Sequence, residues 1–259
     1  MTTDIVRVSV ETATRAPAGR TNAYVLGRED ALLVDPAGRH DSLDELLERR
    51  DVGHVAVTHH HRDHVGGVAA YAREYGLTVW ARYGRTDSFA AATGLDPDRT
   101  LREGTTLPAG TGVTVTETPG HAPEHVAFEY EGTLVSGDLA VGEGSVVVGA
   151  PDGDMRSYLA SLRRVFVRNP ARLYPGHGPV IDDPRAVCLR LYSHRRLRER
   201  TVQTAVETGA QTPAELVEAA YEKDVSAVFD LARATVVAHL EKLAVEGAVR
   251  WDGQRARPV

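Results

Sequence analysis

The eleven residues from His54 to His64 constrain this chain more than any other stretch. They read His-Val-Ala-Val-Thr-His-His-His-Arg-Asp-His. The opening run is β-rich and leads directly into imidazoles and a carboxylate, and Gly66 begins a helical stretch. That order places His59, His61, Asp63 and His64 on a strand-to-helix loop. His59 and His61 project to one side, and His60, between them, points the other way as wall or support.

Three further residues occupy the same structural place, just past the end of an expected strand. They are His121 in Thr118-Pro119-Gly120-His121, Asp138 in Ser136-Gly137-Asp138 and His177 in Pro175-Gly176-His177-Gly178. Strand ends give ligands a rigid base, and the adjoining glycines allow tight turns and close backbone approach. Four converging strand ends supply seven ligands, enough for two divalent ions. The donor set suits zinc first, and also iron or manganese. A metal pair about 3.5–4 Å apart brings the pKa of bound water towards ~7 and polarises a substrate oxygen, so hydrolysis follows. His125 is expected to pack or to hold its loop by hydrogen bonding, and His40, His54, His194 and His239 are expected to be structural.

The rest of the chain supports one large core or two smaller ones. Short β-runs alternate with helical stretches from Ile5 to about Pro184, the pattern of strands and helices sharing layers. Helices are expected over Ser42–Arg50, Gly66–Tyr75 and Met155–Val167. After Asp183-Pro184 the β-runs stop and helical periodicity takes over, which puts a domain junction there: 1–184 catalytic, 185–259 helical. In the second part Thr212-Pro213-Ala214-Glu215 is a capping box with Pro at N1. Leu231, Val236, Val237, Leu240 and Leu243 line one helix face up to Gly247. Val249–Trp251 and Arg255–Arg257 flank Asp252-Gly253, which predicts a hairpin with a type I′ turn. Helices followed by a terminal hairpin make a winged-helix-like module.

Composition narrows the setting. A single cysteine, Cys188, excludes an intramolecular disulfide and a cysteine-based zinc knuckle, and suits a reducing compartment. The N-terminal residues lack the basic and apolar regions of a secretion signal, and no apolar run approaches ~18 residues. A cytoplasmic protein is expected. The net charge of -6 argues against a general polyanion-binding surface. Between Arg185 and Arg200, however, six arginines face the single acid Glu199. This region is a candidate surface for an acidic carrier protein or single-stranded RNA.

At His59 to His64 the chain resembles the metallo-β-lactamase superfamily, whose His-x-His-x-Asp-His signature stands here. The stretches Thr58–Gly67, Thr118–His125, Ser136–Gly144 and Tyr174–Ile181 are similar to the glyoxalase II-like branch. Within it they resemble the β-lactamase-like protein 2 family, as do Ser193-His194-Arg195 and the segment Thr212–Trp251. The resemblance implies an αββα sandwich with the metals at one edge between the sheets, followed by a small winged-helix-like domain. It implies His59, His61 and His121 on a first metal, Asp63, His64 and His177 on a second, and Asp138 bridging. Asp63 is expected to orient the attacking hydroxide while it ligates, and Asn22, in Thr21-Asn22-Ala23-Tyr24, to offer an amide to the substrate.

Members of this group hydrolyse thioesters, release acyl chains from carrier proteins or cleave single-stranded RNA, and fold alone does not choose among them. Thioester or ester hydrolysis comes first, with a small-molecule or carrier-bound acyl substrate. Single-strand RNA cleavage is the alternative, weakened by the 6% aromatic content. DNA binding by the tail ranks third, because its expected recognition helix carries Arg233 and Lys242 against Asp230, Glu241 and Glu246. A persulfide dioxygenase shares the fold but uses one iron. Lactam hydrolysis is disfavoured, because zinc β-lactamases often hold the second metal with a cysteine and here Asp138 stands at that motif.

Overall fold

The computed structural model describes residues 4–259, which form two units. The first runs to Glu117 and takes in Glu124–Gly144 and Asn169–Pro184. The second comprises Thr118–Pro123, Ser145–Arg168 and Arg185–Val259, so it includes segments upstream of the expected junction.

Two sheets build the first unit. One has the order β1 (Ile5–Glu11), β2 (Arg20–Leu26), β3 (Ala31–Val34), β4 (Val52–Ala56), β5 (Thr78–Arg82), β6 (Arg99–Leu101). β1 to β3 pair antiparallel and β3 to β6 parallel. The other sheet has the order β11 (Leu173–Pro175), β10 (Thr133–Gly137), β9 (Val126–Tyr130), β8 (Val113–Glu117), β7 (Thr106–Leu107).

Strand periodicity assigns each residue to a layer. In β3, Ala31 and Leu33 face helices α1 (Asp41–Arg49), α3 (Val68–Tyr75) and α4 (Thr86–Thr93), joining Leu43, Leu47, Val68, Tyr71 and Phe89. Leu32 and Val34 face the other way and meet Val115, Phe128 and Val135 of the second sheet. β2 divides likewise, Ala23 and Val25 against Tyr24 and Leu26. A strand buried on both faces needs an unbroken apolar run, which is why these segments do not alternate with polar residues.

The sheets are joined by main-chain hydrogen bonds at one rim. Val126 N donates to Thr58 O at 2.8 Å, and Asn22 N donates to Gly176 O at 2.8 Å. Thr58 follows β4 and Gly176 follows β11, so this rim carries the strand ends that bear the expected ligands. The helix expected from Gly66 starts earlier and in two pieces, α2 (Arg62–Val65) and α3. A Cβ on Gly66 or Gly67 would lie 2.4 or 2.7 Å from the carbonyl oxygen of Ala37 or Pro36, so only glycine fits where the loop passes β3.

The second unit contains α5 (Met155–Arg168), α6 (Pro184–Glu207), α7 (Pro213–Ala220), α8 (Phe229–Val245) and the hairpin β12 (Val249–Trp251) and β13 (Ala256–Pro258). Val206, Leu216, Val236, Leu240, Leu243 and Val249 form its core. The capping box is complete: Thr212 Oγ1 accepts from Glu215 N at 3.3 Å, and Glu215 Oε2 accepts from Thr212 N at 2.9 Å. The expected type I′ turn is corrected, because only Gly253 of the pair has positive φ. Asp252 Oδ1 instead accepts from Gln254 N and Arg255 N, and this local acceptor holds a longer loop closed by Trp251↔Ala256. Among the described residues no helix is long and apolar enough to cross a membrane.

Candidate metal centre

The rim of the first unit is organised by a residue that the sequence reading missed. Asp35 directly follows β3 with φ 51 and is fully buried. Its Oδ1 accepts from Thr58 N at 2.7 Å, and its Oδ2 accepts from Thr58 Oγ1 at 2.7 Å and lies 2.9 Å from His64 Nδ1. Thr58 Oγ1 thus gives its only hydrogen to Asp35 and can only accept from His59 Nδ1, 3.0 Å away. Both imidazoles are thereby fixed as Nδ1–H, leaving each Nε2 lone pair for a cation. The signal available in sequence was a carboxylate directly after the apolar run Ala31–Val34.

The expected ligands of this unit converge. The potential ligand atoms of His59, His64 and Asp138 lie within 4.8 Å of one another, and so do those of Asp63, His64 and His177. His59 Nε2 and His61 Nδ1 are 3.0 Å apart. His177 Nε2 is 3.5 Å from both Asp63 Oδ2 and Asp138 Oδ2, and His64 Nε2 is 3.6 Å from Asp138 Oδ1. Donors around a tetrahedral ion bonded at 2.0–2.2 Å are separated by roughly 3.3–3.6 Å.

Two observations test whether this arrangement fits a cation. His64 Nε2 is buried with no hydrogen-bond partner, although the ring is fully enclosed. Gly176 forms the floor: a Cβ there would stand 2.4 Å from Asp138 Oδ1 and 2.7 Å from His64 Cε1. The electrostatics agree. Burial alone lowers His64 and His177, but Asp138, Asp35 and Asp63 outweigh it and push His64 up to about 9. His177 is also raised, against its own burial, chiefly by Asp138. The residues fit divalent metal.

β2 holds the loop that bears His177. His177 Nδ1 donates to Arg20 O at 2.8 Å, Tyr24 Oη donates to Pro175 O at 2.6 Å, and Arg7 Nη1 donates to Gly178 O at 3.2 Å. Asn22 is buried, and its Nδ2 donates to Pro175 O and Gly178 O, each at 2.9 Å. The amide expected to meet substrate therefore spends its hydrogens on the ligand loop. His125 Nε2 accepts from Asp138 N at 3.1 Å and so holds the bridging candidate. The His60 ring packs edge-on against Phe89, with centroids 5.5 Å apart, and its main-chain N–H donates to Glu124 Oε1 at 3.0 Å.

His121 lies in the short segment that groups with the second unit, where its Nδ1 donates to Val147 O at 2.6 Å. The neighbouring Gly120 has φ 138, and a Cβ there would lie 2.3 Å from Tyr158 Cα.

Residues 16–177 match the metallo-beta-lactamase superfamily, and residues 212–257 match the beta-lactamase associated winged helix domain. The chain belongs to the metallo-beta-lactamase superfamily. It has the mixed α/β sandwich of that superfamily with a C-terminal winged-helix domain. A beta-lactamase-like protein 2 homolog from Drosophila melanogaster is 30% identical, covering 96% of this chain and 91% of its own. An atrochrysone carboxyl ACP thioesterase from Aspergillus fumigatus is 29% identical, covering 78% of this chain and 68% of its own. Several other curated superfamily relatives are matched over only 59–64% of their own length. Among solved structures, a metallo-beta-lactamase family protein from Thermus thermophilus shares the fold at TM-score 0.80 and 24% identity, covering 98% of both chains.

Proposed function

We propose that this metallo-beta-lactamase superfamily hydrolase cleaves a thioester or ester, with a small-molecule or carrier-bound acyl chain as substrate. The observation that carries the reading is the cluster of Asp63, His64, Asp138 and His177 at the rim. There the side chains of Asp63 and His177 keep 18% and 12% of their surface in contact with solvent, so a substrate can reach them. His59, His61, His64, Asp63, Asp138 and His177, with His121 assigned by motif order, would hold two divalent ions, zinc first. When bound, such ions bring water towards a neutral pKa and stabilise charge on the substrate oxygen. Asp63 would orient the attacking hydroxide while it ligates. The fungal relative named as an ACP thioesterase supports an acyl substrate.

Lactam hydrolysis is not favoured. Cys188 is buried in α6, its thiol pushed up to about 12 by burial, which opposes thiolate ligation. The lone thiol suits a reducing compartment, and we place the protein in the cytoplasm.

Cleavage of single-stranded RNA is the second reading, favoured by the exposed Arg185, Arg190 and Arg200 on α6. The surface is smaller than the sequence suggests, because Arg195 is buried, Arg196 pairs with Glu199 and Arg198 stacks on Tyr221. Leu189 and Leu197 are exposed on the same helix, and apolar side chains among cations suit an acidic carrier protein better than a base-stacking ligand. The tail's DNA-binding reading is weakened further, since Lys242 is buried against Glu199 at 2.9 Å. Metal-loaded protein assayed in parallel on acyl thioesters and single-stranded RNA, with His61→Ala as control, tests the proposal. Thioester turnover lost in the variant supports it; RNA cleavage alone overturns it.

A further inference from the structure

One motif remains unexplained by the metal centre: Ser193-His194-Arg195 in α6. Arg195 is 3% exposed, and its Nε has no hydrogen-bond partner. No carboxylate pairs with it among the described residues. A guanidinium in that position bears a large desolvation cost. Its contacts are the Tyr158 ring, 5.9 Å away, and one main-chain carbonyl, Val146 O, to which Nη2 donates.

The next carbonyl along the chain, Val147 O, is the one that accepts from His121 Nδ1. Residues 145–148 form no regular structure, so no ladder sets the direction of these carbonyls. Burial of the Val146 and Val148 side chains fixes how deep the strap lies. The bond from Arg195 Nη2 to Val146 O bears on which way the strap's peptide groups face. The backbone of the His121 turn is anchored separately, with Asp154 N donating to Gly120 O at 2.8 Å and Ser161 Oγ to Pro119 O at 2.8 Å. Those bonds hold the loop, and Val147 O, accepting from Nδ1, bears on the imidazole's tautomer and orientation.

We infer that Arg195 is a positioning residue for His121: by clamping Val146 O it aims Val147 O at His121 Nδ1 and leaves Nε2 as the ligating nitrogen. The inference rests on the proposed role of His121 as a metal ligand. Arg195 would then act on the ligating nitrogen through two successive carbonyls, without touching it. Supporting groups of this kind typically change metal affinity 10–100-fold.

The test measures Zn2+ affinity and stoichiometry by competition with a chromophoric chelator. The proteins are the full-length wild type, Arg195→Met, Arg195→Lys, Glu199→Gln and His121→Ala. Thermal unfolding and the 15N-detected tautomer of His121 in metal-free protein are followed in parallel. Arg195→Met is expected to weaken one equivalent of metal at least tenfold and to mix the His121 tautomers, and Arg195→Lys to restore part of both. Glu199→Gln, which disturbs the same helix through a different buried pair, is expected to lower the melting temperature and keep metal affinity within twofold of wild type. If Arg195→Met fails to fold, the Arg195→Lys tautomer and affinity decide. Wild-type affinity in both Arg195 variants, beside a clear loss in His121→Ala, overturns the inference alone. Two tightly held ions in His121→Ala overturn the ligand assignment and the inference with it.

Discussion

Asp35 Oδ2 lies 2.9 Å from His64 Nδ1, and both groups are shut off from solvent. A carboxylate there does more than fill space, because it decides which ring nitrogen keeps its hydrogen.

Asp35→Asn tests that decision. An amide nitrogen facing Nδ1 favours the opposite tautomer and puts the hydrogen on Nε2, where a metal must bind. Metal affinity is expected to fall about 10–100-fold with the protein still folded. Isothermal titration with Zn2+ measures it, and wild-type affinity in the variant removes the orienting role.

Gly176→Ala probes the floor of the same site. The new methyl would press on Asp138 Oδ1 and His64 Cε1, and overpacking of this kind costs about 1–3 kcal/mol. The variant is expected to melt lower and to retain less than wild-type metal after dialysis. Full metal content would show that the floor yields.

Asn22→Ala separates two roles for one amide. If Asn22 holds the His177 loop, through Pro175 O and Gly178 O, its loss weakens metal binding and lowers kcat. A rise in KM with unchanged metal affinity would instead return Asn22 to the substrate.

Stability should decline in mild acid. Burial first, then the charges of Arg195, Arg198 and Arg190, push His194 down to about 4. Burial also lowers His239, outweighing Glu199. The unfolded chain then binds protons that the folded one refuses, so this contribution is complete above the ordinary histidine pKa near ~6.5 and fades as pH drops from there towards 4. In metal-free protein the urea midpoint is expected to fall between pH 7 and pH 5, and to fall less in His194→Gln. Equal declines in the two proteins would assign the effect elsewhere.

The residues that gather at the rim were legible because their identities and spacing are local: His59 to His64 lie on one loop, and Asp138 and His177 each follow a glycine at a strand end. Asp35 was not, since its partners Thr58 and His64 are 23 and 29 residues away and no spacing announces them. Asn22 was noticed for its place, but its bonds to Pro175 O and Gly178 O were not legible, since those partners lie 153 and 156 residues away. The capping box at Thr212 was readable for the same reason as the ligands, four consecutive residues being enough to define it. The terminal turn was not, because Asp252 served as a side-chain acceptor where its dipeptide suggested a positive φ.

At the rim the two sheets are fastened by peptide groups, Thr58 O with Val126 N and Asn22 N with Gly176 O. A fastening made of main chain survives exchange of the side chains around it. The side chains around this rim can therefore be exchanged without unbuttoning the scaffold that keeps its histidines in register.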